Sequence, residues 1–253
     1  MSMNSKISQI EHDDSVFLLT ADVPESKGNA ATIFVHGGPG GDSRGPDDLL
    51  LDLSTELGRQ GRAGFRLDMS GSAKIGGDFS DMSVRRQVGE LAAAASYVRS
   101  LGYSSISLVG ESLGGTVVLA AELPDIAAVV LFFPALILGE TSFREVLSPE
   151  KAGERAESGG VSLGSYRLTE PFLAEVETLD VSSALQSLVC PVLIVHGDAD
   201  NDVPVSQSLE AFKEMTAETR VLDVVGGGGH GLRTPDHHAH AVSLAAHWIL
   251  QFG

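Results

Sequence analysis

The sequence is short of several things, and each shortage closes off a class of protein. It holds one cysteine, Cys190. One thiol cannot form an intrachain disulfide or supply a cysteine-based zinc cluster. Positive charge is scarce: 17 Lys and Arg stand against 34 Asp and Glu, a formal net charge of −17. A surface of that sign repels phosphate backbones and anionic bilayers, so neither nucleic acid nor a membrane is an expected partner. Long apolar runs are missing too. The longest, residues 127–138, is interrupted by Pro134 and falls short of the roughly 20 residues a membrane helix requires. Residues 1–14 are polar and lack the apolar stretch of a secretory leader, so the expected location is the cytoplasm.

What is present describes an ordinary folded chain. Its 253 residues are 43% hydrophobic and 20% charged, enough to bury a large core in an α/β domain with a modest insertion. Strand-like runs alternate with helix-like segments, the pattern of a mostly parallel central sheet with helices on both faces. Strands are expected at residues 16–20 (as an antiparallel edge), 31–35, 63–68, 106–109, 128–133, 191–195 and 220–225. Helices are expected at 47–58, 84–101, 113–122, 205–215 and 237–252. Between 139 and 180 the chain turns charge-rich, with helices expected at 143–156 and 171–179 and a strand pair at 161–168. That is too long for a plain connection. It is expected to be a small lid inserted between core segments 1–138 and 181–253.

One stretch carries chemistry. Gly110-Glu-Ser-Leu-Gly114 fits G-x-S-x-G, with a buried strand before it and a helix after it. A serine hydroxyl is a weak nucleophile unless it is exposed, held against a base and placed beside oxyanion donors. A tight strand-to-helix turn supplies all three. Such elbows are followed along the chain by an acid and then a histidine. Downstream, one strand runs into Asp198-Ala-Asp-Asn-Asp202, and the next runs into Gly226-Gly-Gly-Gly-His230. The acid is open among Asp200, Asp202 and Asp198. The remaining histidines read as braces or surface residues.

Several motifs together give the chain a family look. They are His36-Gly-Gly-Pro-Gly40, Asp68-Met-Ser-Gly-Ser72, Phe79-Ser-Asp-Met82, the elbow, Gly197-Asp-Ala-Asp-Asn-Asp-Val-Pro204 and Gly228-Gly-His-Gly231. With them the sequence resembles the α/β-hydrolase fold enzymes, most of all small bacterial esterases of the cinnamoyl/feruloyl type. One departure is Met69-Ser-Gly-Ser72, where relatives often carry Arg-Gly-x-Gly. The resemblance implies a serine hydrolase acting on a small-molecule ester through an acyl-enzyme, with no cofactor and no metal. It implies Ser112 as nucleophile, His230 as base, Asp200 as the orienting acid, and the Gly38 and Leu113 amides as oxyanion donors. Phe143, Tyr166 and Phe172 in the lid are candidates either to line an acyl pocket or to pack the lid onto the body. His-Gly-Gly-Pro-Gly is also typical of prolyl aminopeptidases, so an aminopeptidase or amidase stays open, as does a non-catalytic binding protein of this fold. The sequence is compatible with a homodimer.

Overall fold

Alternation of apolar side chains builds the central sheet and gives it two buried faces. The computed structural model describes residues 3–13, 15–25, 28–72, 74–75, 82–164 and 166–253. Among these, the strands are β1 (Met3–His12), β2 (Ser15–Pro24), β3 (Ala30–Val35), β4 (Ala63–Asp68) and β5 (Ser105–Glu111). They continue with β6 (Ile126–Phe132), β7 (Gly160–Leu163), β8 (Tyr166–Thr169), β9 (Val192–Gly197) and β10 (Arg220–Val225). Eight of them form one sheet in the order β1-β2-β4-β3-β5-β6-β9-β10. β1, β2 and β4 pair antiparallel, and from β4 onward neighbours run parallel.

In β6, Val129 and Leu131 enter one core while Ala128, Val130 and Phe132 enter the other. β9 divides the same way, Val192 and Ile194 against Leu193 and Val195. A strand buried on both faces needs no polar side, which is why these runs are uniformly apolar. Helices cover both faces. α1 (Leu49–Arg59) packs against α8 (Pro235–Phe252), and Leu49, Leu50, Leu53 and Leu57 meet Ala241, Ala245 and Ile249 there. On the opposite face α2 (Val84–Ser100) lies against α3 (Leu113–Ala120), joined by α6 (Ser182–Ser187) and α7 (Val205–Glu214). Ser83 caps α2 by accepting the Arg86 N–H.

Residues 139–180 hold a 3-10 segment (Ser142–Leu147), α4 (Pro149–Ser158), the β7–β8 hairpin and α5 (Glu170–Thr178). The single helix expected over 143–156 is thus two pieces. Pro149 starts a new helix because it has no N–H to continue the old one.

The antiparallel edge also differs from expectation. β1, in a stretch read only as polar and without a strand, forms the outer strand, and β2, expected at the edge, lies one position inside it. β1 escapes a pattern search because most of it faces solvent: Ile7 is 65% exposed. The short helix α6 was likewise unforeseen. The motif Phe79–Met82 lies outside the described residues except for Met82. No described helix is long and apolar enough to cross a membrane.

β3 is flanked by β4 on one side and β5 on the other. The chain therefore leaves β3 toward one edge and leaves β5 toward the other. Such a switch point opens a crevice at the C-terminal ends of parallel strands. The loop after β3 and the turn after β5 both face it.

Candidate active site

The turn after β5 is as tight as its glycines imply. Ser112 sits at φ 53° and ψ −119°, a backbone conformation an L-residue adopts only when its surroundings hold it. They do: its N–H donates to the Phe132 carbonyl at 3.0 Å, and its own carbonyl accepts from Gly115 and Ala135. A Cβ at Gly110 would lie 2.8 Å from the Gly114 carbonyl oxygen and the Gly115 Cα, and one at Gly114 would collide with the Val35 carbonyl at the end of β3. The elbow is thus crowded both within itself and by the neighbouring strand.

Three side chains from three strand ends converge. Ser112 Oγ is 3.1 Å from His230 Nε2, and His230 Nδ1 is 2.8 Å from Asp200 Oδ2. With a carboxylate facing Nδ1, that nitrogen carries the proton and Nε2 is free to accept from the serine. Asp200 is buried, and its Oδ1 accepts the N–H groups of Asp202 and Val203, each at 2.9 Å. Of the three candidate acids, it is the one that reaches His230. Asp198 instead accepts the Gly227 N–H at 2.6 Å, and Asp202 is exposed.

The electrostatics follow from these contacts. Burial pushes the Asp200 carboxyl up, but hydrogen bonds from His196 and His230, the His230 charge and the Val203 N–H outweigh it. The result is a carboxyl well below its ordinary range. For His230, burial pulls the imidazole down, and the hydrogen bond to Asp200 with the charges of Asp200, Glu111 and Asp202 carries it above its ordinary value. Phe133, just beyond β6, sets its ring edge-on to His230 with centroids 4.7 Å apart. Nothing in the sequence singled it out beyond its place at a strand end.

The loop after β3 is braced from below. The Met69 N–H donates to His36 Nε2 at 3.1 Å, so Nδ1 holds the proton and donates to the Gly37 carbonyl. Burial keeps this imidazole below its ordinary value. The brace sets Gly38 against the elbow, where a Cβ would lie 3.0 Å from Leu113 Cδ2. Leu113 opens α3, a position whose N–H has no intrahelical acceptor. The Gly38 N–H has no hydrogen-bond partner among the described residues. Glu111, one residue before Ser112, is buried and accepts the Gly37 N–H at 2.6 Å.

Ser112, His230, Glu111 and the loop after β3 line a cleft of about 820 Å³, bounded also by Arg44 to Asp48 and Arg233. The three aromatics of segment 139–180 part company here. Tyr166 lies against Gly40, whose position leaves no room for a Cβ beside the phenol, so it reaches the cleft loop. Phe143 and Phe172 are buried edge-to-face against each other, centroids 5.3 Å apart, and neither lines the cleft. Their role in this structure is to pack the 139–180 segment. One acidic set among the described residues could approach a metal ion, namely Asp200, Asp202 and His230. Its Asp200 and His230 atoms are already engaged in the hydrogen bonds above. His238 and His240 pair separately with Asp52 and Asp223.

Comparison with known proteins agrees with this architecture. The sequence profile of the prolyl oligopeptidase family matches residues 170–252, the part that carries Asp200 and His230. No curated protein matches the sequence. Among solved structures, Est1E from Butyrivibrio proteoclasticus with ferulic acid bound superposes with a TM-score of 0.78 at 21% identity, covering 97% of this chain and 98% of that one. Mouse alpha/beta hydrolase domain-containing protein 10 gives 0.76 at 20% identity over 97% and 99%. The esterase domain of a Rhodothermus marinus protein gives 0.70 at 20% identity over 99% of each chain. With its switch-point cleft, its strained serine after β5 and these likenesses, the chain has the α/β-hydrolase fold.

Proposed function

We propose that the protein is a serine hydrolase that cleaves carboxylic esters through an acyl-enzyme. The observation that carries this reading is the unbroken hydrogen-bond chain from Ser112 through His230 to Asp200 at the floor of the cleft. In the reaction, His230 Nε2 takes the Ser112 proton as Oγ attacks the ester carbonyl. The carbonyl oxygen becomes an oxyanion and accepts the Gly38 and Leu113 N–H groups, the latter at the positive end of α3. Losing one such donor costs about 3–4 kcal/mol of transition-state stabilisation. The intermediate collapses, His230 returns the proton to the leaving alcohol, and water repeats the sequence on the acyl-serine. Asp200 holds the tautomer and balances the imidazolium charge. No cofactor enters any step.

Est1E, the similar structure solved with ferulic acid bound, supports testing hydroxycinnamate esters first. Segment 139–180 is read as a lid, with Tyr166 reaching the cleft loop at Gly40. A second reading, an aminopeptidase or amidase, draws on the prolyl oligopeptidase match over 170–252. Short p-nitrophenyl esters, methyl ferulate and proline p-nitroanilide assayed side by side separate the two. The ester reading expects turnover of the first two and little of the third; the reverse order contradicts it. A third reading, a non-catalytic binding protein, requires that a fluorophosphonate probe leave Ser112 unlabelled.

A further inference from the structure

Glu111 is a buried ionisable group in the cleft lining with no part in the steps above. It closes β5 immediately before the nucleophile and is only 7% exposed. Burying a carboxylate is costly unless hydrogen bonds repay it. Its Oε2 accepts the Gly37 N–H at 2.6 Å, a short, charge-assisted bond. A Cβ at Gly37 would fall 2.8 Å from Oε1 and 3.0 Å from Oε2, so the loop after β3 is seated directly on this carboxylate. The bond ties together the two segments that present the oxyanion donors. Gly38 is one residue beyond Gly37, and Leu113 is two beyond Glu111. The same carboxylate lines the cleft with Ser112 and His230.

We propose that Glu111 is a positioning residue: its carboxylate clamps the Gly37 amide so that Gly38 faces the oxyanion, and it places a negative charge in the cleft lining it shares with His230. The kinetic side of this rests on the esterase reading above; the structural side does not. Groups facing His230 from the surrounding elements are Asp200 and Asp202 after β9, Glu111 on β5, and the uncharged Phe133 after β6. Groups acting on Glu111 are the Gly37 N–H, His230 and Arg233. Burial holds the Glu111 carboxyl above its ordinary value, and those three partners offset only part of that rise. Removing the charge while keeping the acceptor should therefore lower the His230 midpoint. Removing both should also release the loop.

The test compares Glu111→Gln and Glu111→Ala with the unaltered protein. Imidazole NMR titration, with His230 assigned through a His230→Gln variant, is expected to show the His230 midpoint falling by about half a unit in Glu111→Gln, a roughly threefold change in proton affinity. Amide exchange at Gly37 should quicken by about tenfold in Glu111→Ala and stay slow in Glu111→Gln. Glu111→Ala should lower kcat by about tenfold with KM within about threefold, and Glu111→Gln should recover most of that loss. The acidic limb of its kcat/KM profile should lie at lower pH. An unchanged His230 midpoint in Glu111→Gln, or unchanged Gly37 exchange in Glu111→Ala, overturns the proposal. Titration and exchange need no turnover. A protein that hydrolyses no ester would contradict the esterase reading while these two measurements still decide the role of Glu111.

Discussion

At the scale of residues, the site is an arrangement of protons. Asp200 is held ionised by four donors, the N–H groups of Asp202 and Val203 and the rings of His196 and His230, and its charge facing Nδ1 leaves Nε2 of His230 as the nitrogen turned to Ser112. Asp200→Asn removes the charge and favours the wrong tautomer. It should lower kcat by about 10³–10⁴-fold, measured on the same ester with folding checked by circular dichroism. The pair also leaves a mark on stability. Because the Asp200 carboxyl is depressed, its contribution is fully present above about pH 4 and is lost as pH falls through its folded midpoint. Because His230 is raised, its contribution is fully present below about pH 6.5 and is lost as pH rises past its folded midpoint. The Tm difference between the unaltered protein and Asp200→Asn should therefore peak between about pH 4 and 6.5 and shrink toward acid. A difference that grew below pH 3 would contradict this account.

What the sequence shows at this scale depends on how local the cause is. The elbow is legible because much of its crowding is local, Gly110 meeting Gly114 and Gly115 four and five residues on. Asp200 is legible only through resemblance, since composition leaves Asp198 and Asp202 equal to it; the distinction lies in which carboxylate the β9 loop turns inward. Phe133 and the clamp from Glu111 to Gly37 join residues about 75–100 positions apart, and no spacing rule reaches that far. Side-chain type was also uninformative for the aromatics of segment 139–180. Tyr166 and Phe172 read alike in sequence, and only packing separates the one at the cleft loop from the one in the core.

At the scale of elements, helices and strands act as mounts. α1 presents four buried leucines to α8 and the sheet, and its N-terminal approach carries the Arg44–Asp48 wall of the cleft. Leu57 is fully buried at the far end of that helix. Leu57→Ala should cost about 2–5 kcal/mol, about 5–15 °C in Tm for a domain of this size, while leaving KM unchanged at temperatures where the protein is folded. The helices and inner strands were readable because each buries a stripe or a whole run. β1 was not, because an edge strand facing solvent has a polar sequence that a tail would also have. The crossing of the acid and histidine loops is another tertiary fact. The Ala199 N–H donates to the Gly228 carbonyl, and a Cβ at Gly197 would strike that same residue. Of the glycines before His230, Gly228 thus serves the close approach of the two loops.

At the scale of the molecule, charge is the dominant property. The net charge of −17 repels anions at long range, and the cleft does not reverse that locally. Its two arginines are each committed, Arg44 to Asp48 with 2.6 Å bonds and Arg233 to Asp47 at 3.0 Å. Neutral esters should therefore be preferred to esters carrying a free carboxylate, by about tenfold in kcat/KM at 10 mM ionic strength, with the gap narrowing as salt shortens the screening length. Equal rates at low salt would contradict this.

The central claim is that Ser112 forms a covalent acyl intermediate. The most direct measurement is the intact mass and peptide map of the protein quenched during turnover of p-nitrophenyl acetate, beside Ser112→Ala. The account predicts one acetyl group, on the peptide bearing Ser112, and a loss of turnover of at least about 10³-fold in the variant. Full turnover by Ser112→Ala, or acetyl found on another residue during steady-state turnover, would contradict it.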